Sequence, residues 1–223
     1  YDFDWNGRLQ STGVQAGLNL QFSGNFSVDF EAGDSLEKLY EDEFGPKRNS
    51  SGTMAGAFSG PAERSSHQPM ASVNFSKNLS KRMSVGGFLG HVWGAFDYDF
   101  GAGQRYPRVS PTYLNWVSSG MTGPYPALDP GRGGQTDIVL ELSLKPTDAF
   151  SVSLEYSNSQ LRRYDTDKIA FDSNIYTLRT TYQFTRFTFI RARIDYDTLR
   201  NRTAGQFLVG WSPPPGTAFY AGH

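Results

Sequence analysis

The chain has 223 residues, of which 38% are hydrophobic and 15% aromatic, with 24 Gly, 12 Pro and no Cys. It holds no run of roughly 18 consecutive apolar residues, which excludes a membrane-spanning helix, and its 21 basic and 22 acidic side chains (net charge -1) create no basic field for nucleic acid. The lack of cysteine excludes disulfides and thiolate metal sites, whereas polar composition still permits a membrane barrel, whose strands need only every second residue apolar.

Tyr1, Phe3 and Trp5 alternate with Asp2, Asp4 and Asn6, as at the end of a strand entering from upstream chain. Thr12 to Phe22 then sets Val14, Ala16, Leu18, Leu20 and Phe22 against Gly13, Gln15, Gly17, Asn19 and Gln21. Such unbroken alternation suits a tilted membrane strand of about 9 to 11 residues better than a soluble strand of about 5 to 6. Ser23, Gly24 and Asn25 form a tight connection that pairs Phe22 with Phe26. Phe26, Val28, Phe30 and Ala32 continue the apolar face; Ser27, Asp29 and Glu31 continue the polar one.

Residues 34–68 lose the period and read as a long loop. The acidic run Asp34, Glu37, Glu41, Asp42 and Glu43 raises a Ca²⁺ site, but without the spacing of a calcium loop, and a solvated loop is the preferred reading. Strand order returns at Met70 to Lys77, turns at 78–82 and resumes over 84–100. There Phe88, Val92, Phe96 and Tyr98 fall on one side and Val85, Leu89 and Trp93 on the other. Glycines at 86, 87, 90 and 94 allow a bulge, so the facing of this strand stays open. Residues 101–134 read as a second long loop. Its GRGG at 131–134 has the glycine content of a phosphate-cradling turn but not the strand-to-helix unit that one requires.

From Gln135 the pattern sharpens. Ile138, Leu140, Leu142 and Leu144 oppose Glu141, Ser143 and Lys145; after a turn at 146–149, Val152, Leu154 and Tyr156 oppose Ser153, Glu155 and Ser157. A loop at 162–171 leads into a hairpin, FDSNIYTLRTTYQFTRFTFIRARIDYDT. Tyr176, Leu178, Thr180, Tyr182 and Phe184 share one face of its first arm, and Ile190, Ala192, Ile194 and Tyr196 share one face of its return. The other faces carry Arg179, Arg191, Arg193, Asp195 and Asp197. A five-residue turn at 185–189 would set Arg179 opposite Asp195, whereas a three-residue turn would set it opposite Arg193; because opposed like charges are unfavourable, the longer turn is expected. Turns at 199–203 and 213–216 bracket a further strand over Gln206 to Ser212, and Thr217 to His223 begins another.

Short connections (23–25, 78–82, 146–149, 185–189, 213–216) alternate with long ones (34–68, 101–134, 162–171), the layout of bacterial outer-membrane barrels with periplasmic short turns. Phe22, Phe26, Phe75 and Phe184 lie beside short turns, while Tyr98, Tyr156, Tyr176 and Tyr196 lie nearer the long loops, as two aromatic girdles would. The expected fold is all-β, an antiparallel up-and-down transmembrane β-barrel. Residues 1–223 form a single domain of about eleven strands. From that odd number and the absence of a signal peptide a fragment lacking upstream chain is expected, and from the end at His223 without a terminal aromatic strand end the extreme C-terminal part is expected to be missing too.

The stretch Gln135 to His223, through ELSLKPTDAFSVSLEYSNSQLRR, the hairpin, and GQFLVGWSPPPGTAFYAGH, resembles the C-terminal region of a bacterial family of unknown function. Its members join an N-terminal β-sandwich, like carbohydrate-binding family 9, to a large outer-membrane barrel. Residues 1–134 match it only in style. The resemblance implies a barrel C-terminus and a sandwich module upstream, and it supplies no catalytic residues.

The site reading is a division of faces. Asp29, Glu31, Glu141, Glu155, Arg179, Arg191, Arg193, Asp195 and Asp197 are expected to face a hydrated lumen. Leu18, Leu20, Phe22, Phe26, Leu140, Leu142, Leu154, Leu178, Tyr182, Ile190, Ile194 and Tyr196 are expected to face lipid. Mixed charge signs fit a hydrated or salt-bridged wall and not a single-sign ion filter. The function expected is a structural or transport barrel of the bacterial outer membrane and not an enzyme, with membrane lipid as its partner and carbohydrate met through the upstream module. No catalytic residue, cofactor, metal site or nucleic-acid partner is assigned. The alternative is a soluble secreted carbohydrate-binding β-protein. A weaker one is a barrel hydrolase using His91, which the alternation sets on one face with Asp97 and Asp99; a plain structural histidine is preferred, because no nucleophile accompanies it.

Overall fold

The computed structural model describes residues 1–45, 48, 56–97, 108–212 and 219–222. Its strands are β1 (Asp2–Phe3), β2 (Leu9–Phe22), β3 (Phe26–Tyr40), β4 (Glu63–Ser80), β5 (Met83–Asp97), β6 (Gly131–Thr147), β7 (Phe150–Arg163), β8 (Ile169–Thr185), β9 (Thr188–Asp197), β10 (Arg202–Trp211) and β11 (Phe219–Gly222). Each pairs antiparallel with the next in one up-and-down sheet, and β1 and β11 are its two unjoined edges among the described residues. One helix, α1 (Pro111–Ser118), interrupts the β5–β6 connection. Among the described residues no helix is long and apolar enough to cross a membrane, which says nothing of strands.

Paired residues in an antiparallel ladder point to the same side, so register converts the sequence alternation into two faces. One row of direct partners runs Phe22, Phe26, Lys77, Val85, Leu142, Leu154, Leu178, Ile194 and Gly205. The row beside it on the same face runs Leu20, Val28, Phe75, Gly87, Leu140, Tyr156, Tyr176 and Tyr196. Leu18 with Phe30, and Tyr182 with Ile190, complete the same apolar side. The apolar side is not a dry centre: Leu18 is 56%, Leu140 48% and Ile194 38% exposed. β5, whose facing the alternation left open, presents Val85, Leu89 and Trp93 to this side, because they pair with Leu142, Ile138 and Gly134.

The rows are staggered against the short turns. Phe22 abuts its turn, whereas Leu178, six strands along the same row, stands seven residues before the last residue of β8, Thr185. Seven residues at ~3.3 Å rise against six steps of ~4.8 Å correspond to strands tilted by about 38° from the normal to the turn rim.

Several strands run further than their pattern. Residues 34–40 and 63–69, expected to be loop, pair from Asp34↔Pro69 to Tyr40↔Glu63. Residues 131–134 likewise belong to β6, paired with β5 and β7. Alternation reports what the two faces meet; backbone pairing continues past the apolar belt, where neither face needs to be greasy. The helix was also unread: Ser110 accepts from Tyr113 N at 3.2 Å, with Pro111 in the first turn, inside a stretch whose other prolines spoke for loop. At the other end the Ser23–Asn25 turn pairs Phe22 with Phe26 as expected, with Gly24 and Asn25 at φ 79° and 54°.

The β8–β9 register corrects the sequence reading. Arg179 lies directly across from Arg193, not Asp195, because a two-residue turn at 186–187 is combined with a bulge between Gln183 and Thr185 that shifts the ladder by one residue. Thr185 Oγ1 fixes that turn by accepting from Phe187 N at 3.2 Å and Thr188 N at 3.1 Å. This register aligns Leu178 with Ile194 and Tyr176 with Tyr196. The like charges are relieved sideways: Arg179 Nη1 reaches Glu155 at 2.8 Å and Arg193 Nε reaches Asp195 at 2.8 Å. The expected turn at Pro213 to Gly216, with Tyr98, Asp99 and His223, lies outside the described residues.

Candidate functional site: a charged face and a closed rim

The second face of the sheet gathers the ionised residues. Asp29 pairs with Asn19 and Asn74, and Glu31 with Gly17 and Ser72. One row holds Glu141, Glu155, Thr177 and Asp195; the next holds Ser153, Arg179, Arg193 and Gln206. Arg191 follows, paired with Thr181 and Leu208. Thr177, buried on this face, donates its hydroxyl to Asp195 at 2.6 Å. Asp197 stands at the end of the same face and caps the β9–β10 turn, accepting from Leu199 N at 2.8 Å and Arg200 N at 3.2 Å.

The most enclosed chemistry lies at the opposite end from the short turns, where sequence reasoning placed loops and the far end of the 84–100 strand. There the first long connection bridges to the second: Ser59 N donates to Leu128 O, and Ser59 Oγ lies 2.9 Å from Thr112 Oγ1. Phe58, Leu39, Ala57 and Phe96 form one buried apolar cluster, and Ala95, Val109, Leu161 and Ala170 another. Burying a Phe or Leu side chain contributes about 1.5 to 3 kcal/mol, so these small clusters hold the rim down only with polar help.

That help centres on Arg163. Its side chain and that of Asp97 are both fully buried, 3.2 Å apart, and its guanidinium also meets Asp165 at 2.5 Å and the Asp129 carbonyl at 3.1 Å. Asp129 in turn accepts from Arg64 at 3.1 Å. β5, β7, β4 and the second long connection are thereby tied at one point. The glycines explain themselves here: a Cβ on Gly131 would collide with the Arg163 guanidinium, and one on Gly133 with the Arg162 carbonyl. The GRGG segment is a strand start made thin enough to admit an arginine, not a phosphate turn.

A second lock holds the first long connection. Glu41, buried in a 3₁₀ turn (Glu41–Glu43), binds Arg48 Nε at 2.8 Å and accepts from Phe58 N at 2.7 Å. Hydrogen bonding to Arg48 holds the Glu41 carboxyl below its ordinary range, against the opposing effect of burial. Gly56 faces that carboxylate so closely that a Cβ would strike it.

The remaining sequence candidates disperse. Within the acidic run, Asp42 meets Arg8 at 3.1 Å, Asp34 meets His67 at 3.4 Å, and Glu37 accepts from Gln68. Among the described residues no three His, Cys, Asp or Glu side chains gather as metal ligands. His67 lies on β4 and not in a loop. The alternation set His91 on one face with Asp97, but a bulge at Trp93/Ala95, with Gly94 at φ 78°, separates them. His91 Nδ1 lies 2.8 Å from Thr136 Oγ1 with its ring edge-on to Trp93, whereas Asp97 turns to Arg163.

Fold and site define an all-β class: a single antiparallel up-and-down sheet, apolar on one side, ionised on the other, and knitted shut along one rim. Compared with protein-family models and with curated proteins, the chain matches none.

Proposed function

We propose that this sheet is wall of a bacterial outer-membrane β-barrel with a structural or transport role, its apolar side against acyl chains and its ionised side against water. The observation that carries the reading is the uncharged row from Leu20 on β2 to Tyr196 on β9, whose Leu140, Tyr176 and Tyr196 are half-exposed where a soluble core would be dry. A strand tilt of about 38° falls in the range of roughly 35 to 45° for membrane barrels. Aromatic pairs flank the belt: Phe22–Phe26 and Phe150–Tyr182 toward the short turns, and Tyr156–Tyr176–Tyr196 toward the long connections. Phe184 and Tyr176, eight residues apart on β8, are about 26 Å apart along the strand and about 21 Å in height at that tilt, close to the ~25 Å apolar band of such barrels. Charges described on this side lie at the margins: Lys77 over the Phe26 ring by the short turns, and Asp34 with His67, Lys38 with Glu63, Arg162 and Asp172 toward the long connections.

Leu154→Arg and Ser153→Arg test the reading, because neighbouring strand residues point to opposite faces. In phospholipid vesicles Leu154→Arg should cost about 2 to 4 kcal/mol of folding free energy, the range for arginine near a bilayer midplane, and Ser153→Arg no more than about 1 kcal/mol, the scale of a like charge set opposite Arg179. Equal effects, with a chain that stays soluble without detergent, would mean that the apolar side faces water.

A further inference from the structure

On the ionised side, next to the short turns, two grooves of about 480 and 650 Å³ lie over β4–β8 and β8–β11. They share Arg179 and Thr181 in their walls and so form one trough. Lys81, Arg82 and Lys145 line the first groove; Arg179, Arg191 and Arg193 line the second; no carboxylate among the described residues lines either. Between the cations the floor is hydroxylated by Ser143, Ser151, Ser153 and Thr181. The acids of this face stand one row further from the turns. Glu155 and Asp195 there engage Arg179 and Arg193, which remain half-exposed. Lys81, Lys145 and Arg191 make no ion pair among the described residues, Arg191 lying over the Phe189 ring, and the Arg82 guanidinium donates to the Pro146 carbonyl at 3.0 Å.

We propose that this trough binds an extended anion carrying at least two phosphate or sulfate groups. The inference rests on reading the ionised side as water-lined. Lys81, Arg82, Lys145 and Arg191, outside the ion pairs that hold Arg179 and Arg193, repel one another and focus a positive potential in the groove, which an anion relieves. Guanidinium forks and seryl hydroxyls together match a tetrahedral oxyanion, which accepts several hydrogen bonds at once. Lys145 on β6 and Arg191 on β9 are three strand steps apart along one row, about 14 Å, so an extended anion meets more of the cations at once than a single phosphate does.

The test is calorimetric titration of the full chain, folded in neutral detergent micelles at low ionic strength, with inorganic tripolyphosphate and with orthophosphate. Tripolyphosphate should bind at least tenfold more tightly than orthophosphate. The double variant Lys145→Gln/Arg191→Gln should weaken it tenfold or more, Lys145→Arg/Arg191→Lys should restore it, and Lys168→Gln, at the other rim, should leave it unchanged. Failure of the micelle-folded wild type to bind tripolyphosphate overturns the trough alone, as does an equal loss in Lys168→Gln. A chain that folds and stays soluble without detergent but still binds tripolyphosphate removes the membrane reading and leaves the trough standing.

Discussion

Replacing Arg163 with Met should loosen the long-connection rim more than any surface change. Both partners of the Arg163–Asp97 pair are fully buried, so water cannot take over the role of the lost cation at Asp97, and removing one member of a buried pair costs about 3 to 5 kcal/mol. Asp165 is 40% exposed and recovers solvent when released, so the lower half of that range is expected. At a urea dependence of about 3 kcal/mol per molar, the upper end for small proteins, the unfolding midpoint should fall by about 1 M. Gly131→Ala provides the internal check, because its methyl group would strike the Arg163 guanidinium. Overpacking of this kind costs about 1 to 3 kcal/mol. In the Arg163→Met background the obstacle is gone and Gly131→Ala should be nearly free, so the two substitutions should couple by at least ~1 kcal/mol. Urea titrations of the two single variants and the double variant measure the cycle; additive costs, or a midpoint for Arg163→Met within error of wild type, would refute the account of the rim.

Glu41 gives the rim a pH dependence of defined sign. Its folded carboxyl, held below the unfolded value of about 4.3 by Arg48, contributes stability that is present above that value and lost as pH falls through the lowered one. Protease cleavage in 41–60 should therefore accelerate below about pH 4.3, and Glu41→Gln should cleave readily at neutral pH with little further change on acidification. The β8–β9 register can be read by cross-linking, since the chain has no native cysteine. Cysteines at 179 and 193, directly opposed, fall within the roughly 4.4 to 6.8 Å Cα span of a disulfide and should oxidise readily. Cysteines at 179 and 195, a diagonal pair at about 7 to 8 Å, should not, and the reverse result would restore the longer turn.

The alternation of Thr12–Phe22, of Gln135–Lys145 and of the 172–198 hairpin was enough to specify antiparallel strands, their order and their two faces, because a period of two is a local property of extended backbone. It was not enough to specify register at β8–β9. A slide of two residues preserves every facing, and the choice fell to the Thr185 turn and to the alignment of Leu178 with Ile194. Nor could it find the rim. Arg163, Asp97, Arg64 and Asp129 come from four separate segments, and each alone reads as an ordinary polar residue at a strand end. The visible trace was GRGG, whose missing side chains mark where an arginine must fit, and only packing shows which arginine. Local pattern thus determined what each strand offers to either side; the convergence of distant charges into one buried pair and one open trough was decided by how the strands stack.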